Sequence, residues 1–133
     1  MLRFAKGLAL MSLMSSALAQ ATAADIKHIG YIIFPGVEIL DIMGPLSPLN
    51  MLSNSASLNL SIISASTDPV TSAPLLPPAT GSRFYQTIVP SHSLANPPQD
   101  LDVLIVPGGP GTRANITELQ PYYDYIAAEC VAL

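Results

Sequence analysis

The stretch His28-Ile29-Gly30-Tyr31-Ile32-Ile33-Phe34-Pro35-Gly36 decides the reading of this chain. A mostly apolar run of strand length, stopped by a Pro-Gly turn signal, predicts a β-strand buried on both faces. Beyond the turn, Ile39, Ile42, Met43, Leu46, Leu49 and Leu52 fall at helical spacing, with polar Ser47 and Asn50 between them. Pro45 and Pro48 suit a helix only in or near its first turn. The spacing therefore predicts a helix starting around residues 41–44, with Asp41 at its N-terminal end. Residues 58–65 alternate as a second strand. Residues 101–106 form another strand of the buried type, cut off by Pro107-Gly108-Gly109-Pro110-Gly111-Thr112. Pro121 can open a final helix, with Tyr122, Ile126, Cys130 and Leu133 on one face. Residues 68–98 are rich in Pro, Ser and Thr and read as loops and short strands, with one β-like patch at 83–89. The order of elements is that of an α/β fold built on a mainly parallel sheet, with three core strands.

Composition narrows the function classes. Charged residues make up 11% and hydrophobic ones 50%, which excludes disorder through low hydrophobicity and high charge. Residues 1–19 carry Arg3 and Lys6, then an apolar run and small residues, the pattern of a signal peptide. Cleavage fits after Ala19, or as late as Ala23. The apolar run is too short to span a bilayer, so no membrane anchor is expected from it. Its removal leaves Lys27, Arg83 and Arg113 against nine acidic residues, and such a chain does not bind nucleic acid by charge. A single cysteine, Cys130, excludes an internal disulfide framework despite the expected export.

Two segments carry a family resemblance. IGYIIFPGVEILDIMGPLSPLNMLS, followed further along by DLDVLIVPGGPGTR, resembles the ThiJ/PfpI (DJ-one/PfpI) superfamily, the class I glutamine amidotransferase-like group, nearest its isonitrile-hydratase-like branch. The resemblance covers about residues 27–131 and corresponds to the N-terminal portion of the family domain. It implies a flavodoxin-like α/β sandwich and a cysteine nucleophile on a strained strand-to-helix turn, with no cofactor and no metal. It further implies that Asp41 is the acid hydrogen-bonding that cysteine and that Gly109 offers its backbone N–H to developing negative charge. Gly108 and Arg113 would lie beside the substrate. The implied partners are a small-molecule substrate and a second copy of the chain in a homodimer.

Each of these positions also has a plainer reading. Asp41 can cap its helix, Gly108 and Gly109 can serve a turn that needs positive φ, Glu38 can be a solvated residue at the helix entry, and Arg113 an exposed cation. Cys130 falls on the apolar face of the last helix and reads as a buried, inert thiol. The family's elbow cysteine and its downstream histidine have no counterpart in this sequence, and neither His28 nor His92 matches a partner position. The chain thus reads as apparently truncated before the elbow, an expectation that leaves enzyme status open. Three functions fit: an exported cysteine-dependent hydratase or hydrolase, an inactive family member acting as a binding or dimerising module, and an extracellular ligand-binding protein. An apolar sheet left without its full cover predicts self-association. Asn59-Leu60-Ser61 and Asn115-Ile116-Thr117 match the N-glycosylation pattern, Asn115 being the better placed.

Overall fold

The computed structural model describes residues 26–76 and 80–132; the proposed leader and its cleavage sites lie outside the described residues. Among the described residues, six strands and two helices occur in the order β1 (His28–Ile32), α1 (Ile39–Leu52), β2 (Asn59–Ser64), β3 (Val70–Thr71), β4 (Thr87–Ile88), β5 (His92–Ser93), β6 (Val103–Ile105) and α2 (Ile116–Ala132). The main sheet has the order β5-β2-β1-β6 and is parallel throughout. It holds four strands rather than three, because His92 and Ser93 at the end of the Pro-rich stretch pair with Ile63 and Ser64. The β-like patch at 83–89 contracts to β4, which forms a small antiparallel pair with β3. With helices flanking a parallel sheet, the arrangement is α/β, as the order of elements predicts, and flavodoxin-like, as the family resemblance implies.

Central β1 explains the continuous apolar run: a strand paired on both sides and covered on both faces has no exposed position to fill with polar residues. Tyr31, Ile32, Ile33, Ile42 and Ile63 are completely buried. Gly30 sits where a side chain would press on Leu101 and Leu104. The two buried serines are both bonded, Ser61 Oγ to His28 Nε2 at 2.8 Å and Ser64 Oγ to Tyr122 Oη at 3.1 Å. Tyr122 also accepts the Ala65 N–H at 3.1 Å and meets the Phe34 ring edge-to-face at 6.1 Å, a ring pairing worth about 0.5–1.5 kcal/mol. These contacts seat α2 at the C-terminal end of β2.

Both helices differ from their sequence expectations. Helix α1 begins at Ile39, not within 41–44, and its N-cap is Glu38, whose carboxylate accepts the Leu40 N–H at 3.3 Å. Glu38 is exposed, the helix-entry role expected of it. Pro45 and Pro48 consequently lie inside the helix. Helix α2 starts at Ile116, capped by Asn115 Oδ1 on the Thr117 N–H at 3.0 Å, and Pro121 falls in its second turn. That earlier start moves the buried face to Leu119, Tyr122 and Tyr125, with Ile126 half-buried. Cys130, one turn beyond them, is exposed. The expectation of a buried thiol is corrected accordingly: the apolar spacing marks a face, but only the first turns of α2 meet the core.

Candidate functional site

β1 and β6 are parallel neighbours, Tyr31 standing opposite Ile105, so the chain leaves both strands at the same end of the sheet. There the turn at 35–38 and the turn at 107–113 pack against each other. The Glu38 N–H donates to Gly108 O at 2.9 Å, and the Gly111 N–H donates to Gly36 O at 2.9 Å. A methyl group at Gly111 would collide with Pro35 O and the Phe34 ring, which is why no larger residue fits so close an approach. Gly109 has φ 134°, and a Cβ there would lie 2.6 Å from Gly36 O.

Asp41 bridges the two turns. It lies in the first turn of α1, but its carboxylate does not cap that helix; Oδ2 accepts the N–H of Gly108 at 2.9 Å, 67 residues away in sequence. Oδ1 has no partner among the described residues. The carbonyl of Gly109 takes both the Thr112 N–H at 3.1 Å and the Thr112 hydroxyl at 2.8 Å. The N–H of Gly109 has no partner among the described residues. Of the four positions suggested by the resemblance, Asp41, Gly108 and Gly109 thus gather at one rim. Arg113 ends the 3-10 turn Pro110–Arg113 and is exposed.

Tyr31 is the residue that sequence reasoning missed. Its side chain is fully buried and its hydroxyl donates to the Asp41 carbonyl oxygen at 3.2 Å. The reason lies in Pro45. A helical carbonyl is normally met by the N–H four residues on, and proline has none. Tyr31 supplies the missing donor and holds the backbone beneath the Asp41 carboxylate. Burial, and then the Asp41 charge, push the phenol above its ordinary value, so it remains a neutral donor. The signal was present in the sequence as a tyrosine inside an aliphatic strand and a proline four residues after an aspartate.

A second concave feature lies elsewhere. An open groove of about 690 Å³ runs between α1 and the first residues of β1 and β2, lined mainly by Ile29, Met43, Leu46, Leu49, Leu58 and Leu60. It shares no residue with the paired turns. Among the described residues, no cluster of His, Cys, Asp or Glu could hold a metal ion, and no helix is long and apolar enough to cross a membrane.

Comparison with known proteins adds one finding to this geometry. A crystal structure of a THiJ/PfpI family protein from Pseudomonas syringae matches 77% of this chain at 29% sequence identity, with a TM-score of 0.54. The likeness supports the ThiJ/PfpI superfamily. This ThiJ/PfpI-like chain spans 38% of the length of that solved protein. No protein-family profile matches the sequence, and no curated protein does.

Proposed function

We propose that this chain carries the acid and the backbone donor of a cysteine-dependent ThiJ/PfpI-type centre, in an exported hydratase or hydrolase acting on a small electrophilic substrate. The isonitrile-hydratase-like branch is the nearest reading of its motifs. The observation that carries the proposal is the bridge from Asp41 Oδ2 to the Gly108 N–H, which leaves Asp41 Oδ1 and the Gly109 N–H free at the same rim. In that role the protonated Asp41 carboxyl group donates a hydrogen bond to the thiolate. As the carbon–sulfur bond forms, the π bond of the electrophilic carbon opens and its electron pair moves onto the heteroatom, where the Gly109 N–H stabilises the negative charge. Cys130 is not that sulfur: it is exposed on α2 and hydrogen-bonds to neither group. On this reading the nucleophile belongs to polypeptide that follows Leu133.

Sequencing the transcript past codon 133 tests this directly. An open frame entering a strand and then a cysteine-bearing turn is the expected result. In the product of that frame, Asp41→Asn lowers kcat by about 10²–10⁴-fold. A stop codon immediately after Leu133 overturns the enzyme reading.

A second reading, a binding or dimerising module without turnover, draws on a different observation. Met43 of α1 is exposed and lines the open groove, and Met51 and Leu52 are exposed on the same helix; apolar surface of that kind marks an interaction face.

A further inference from the structure

Asn115-Ile116-Thr117 is an acceptor triplet that the turn-pair chemistry leaves unused, and all three residues are exposed. We infer that Asn115 is the N-glycan acceptor of this chain and that Asn59 is not; the inference rests on the proposed export of the chain. The triplet requires a free side-chain amide nitrogen and a hydroxyl two residues on. Asn115 Nδ2 and the Thr117 hydroxyl are both without partners among the described residues. The amide oxygen is the atom that caps α2, accepting the Thr117 N–H at 3.0 Å. Glycosylation leaves that oxygen an amide acceptor, so the modification and the cap are compatible.

In the other triplet Asn59 and Leu60 are exposed as well, and the difference lies in the strand and in the hydroxyl residue. Asn59 belongs to β2, standing opposite His28 of β1, and its backbone N–H donates to Lys27 O at 2.6 Å. Its hydroxyl residue, Ser61, is 2% exposed and bonded to His28 Nε2. Asn59 also lines the groove beside α1. A glycan added there before folding would stand at the seam where β1 and β2 join.

The transfer balances with one co-reactant, a lipid-pyrophosphate-linked oligosaccharide. The bond from sugar C1 to Asn115 Nδ2 forms as the bond from C1 to the phosphate oxygen breaks. The amide nitrogen gives up one proton, and the lipid pyrophosphate departs.

The test is secretory expression of the full chain in a eukaryotic host, once with its own residues 1–19 and once with an established secretory leader in their place. With the established leader, a peptide amidase that removes N-glycans should collapse one mobility shift and convert Asn115, not Asn59, to aspartate. Thr117→Ala abolishes the shift while keeping the Asn115 cap, Thr117→Ser retains it, and Asn59→Gln leaves it unchanged. No shift with the established leader, or conversion at Asn59 alone, overturns the inference. A shift with that leader but none with the native one upholds the acceptor and refutes export by residues 1–19.

Discussion

The two ends of α1 are held by different forces. Its first turn is stitched by directional bonds to the 107–113 turn, the Glu38 N–H donating to Gly108 O and the Gly108 N–H to Asp41 Oδ2, and to β1, where Tyr31 Oη donates to the Asp41 carbonyl. Its last turns make only local capping bonds, such as Ser53 Oγ to Asn50 O and Asn54 Nδ2 to Met51 O, and their tertiary support is apolar contact that is half finished. Leu46 and Leu49 are partly buried and line the open groove, while Met51 and Leu52 are 74% and 49% exposed. Hydrogen bonds and close backbone approach specify positions of single atoms, whereas apolar packing requires only that some surface be covered. Chemistry is therefore expected at the stitched end and association at the open one.

The contrast can be broken most severely at Gly111. Its replacement by alanine drives a methyl group into Pro35 O and the Phe34 ring and should cost about 3 kcal/mol. By comparison, Gly44→Ala in α1, where beyond the adjacent residues and local helix backbone a Leu40 methyl group lies at 3.8 Å, should change stability by no more than about 1 kcal/mol, alanine's helix preference being opposed by crowding against Pro45. Thermal melts followed by circular dichroism compare the two; equal effects would show that the turns are not tightly apposed.

Next in size is Tyr31→Phe, which leaves the Asp41 carbonyl without its donor and should cost about 1–3 kcal/mol. Pro45→Ala restores an N–H four residues after Asp41. The double variant should therefore recover part of the loss in urea titrations, and strictly additive effects would refute the pairing of Tyr31 with the proline gap.

At the open end the expected change is in assembly rather than folding. Met51 and Leu52 are 74% and 49% exposed. Changing both to lysine should alter stability by no more than about 0.5 kcal/mol while moving the sedimentation profile from oligomer towards monomer. An unchanged profile would place the association surface elsewhere, with the edge strand β6 the next to examine.

The smallest effect is electrostatic. Asp102 accepts the N–H groups of Lys27 at 2.7 Å and His28 at 2.8 Å, and these bonds hold its carboxyl below the ordinary value of 3.8. A lowered native value means that the ionised form favours the fold. Its contribution is complete above the ordinary value and is lost as pH falls through the lowered one. Asp102→Asn should flatten the acid limb of the stability curve and leave the neutral region nearly unchanged. An acid limb identical to that of the parent chain would show that the β1–β6 clasp does not depend on charge.

Strand β1 and both glycine turns were legible because each is a local pattern: strand-length apolar runs ended by Pro-Gly and Pro-Gly-Gly. Helix boundaries were less so. Pro45 and Pro121 argued for later starts, but Glu38 and Asn115 cap the helices upstream of them, and Tyr31 offsets one of the bonds that proline removes. Cys130 was misplaced for a related reason, since an apolar stripe says which face of a helix is apolar and not how far along it the core extends.

Residue order alone settled the order of β1, α1, β2, β6 and α2 with the turns between them and the identity of the core strand, because side-chain periodicity and the φ limits of proline and glycine act over a few residues. It did not settle that β1 and β6 lie side by side, and so it could not bring Asp41 onto the Gly108 N–H. That meeting depends on strand pairing between segments some seventy residues apart, where a pattern of period two is satisfied equally by any neighbour and only the folded sheet selects one.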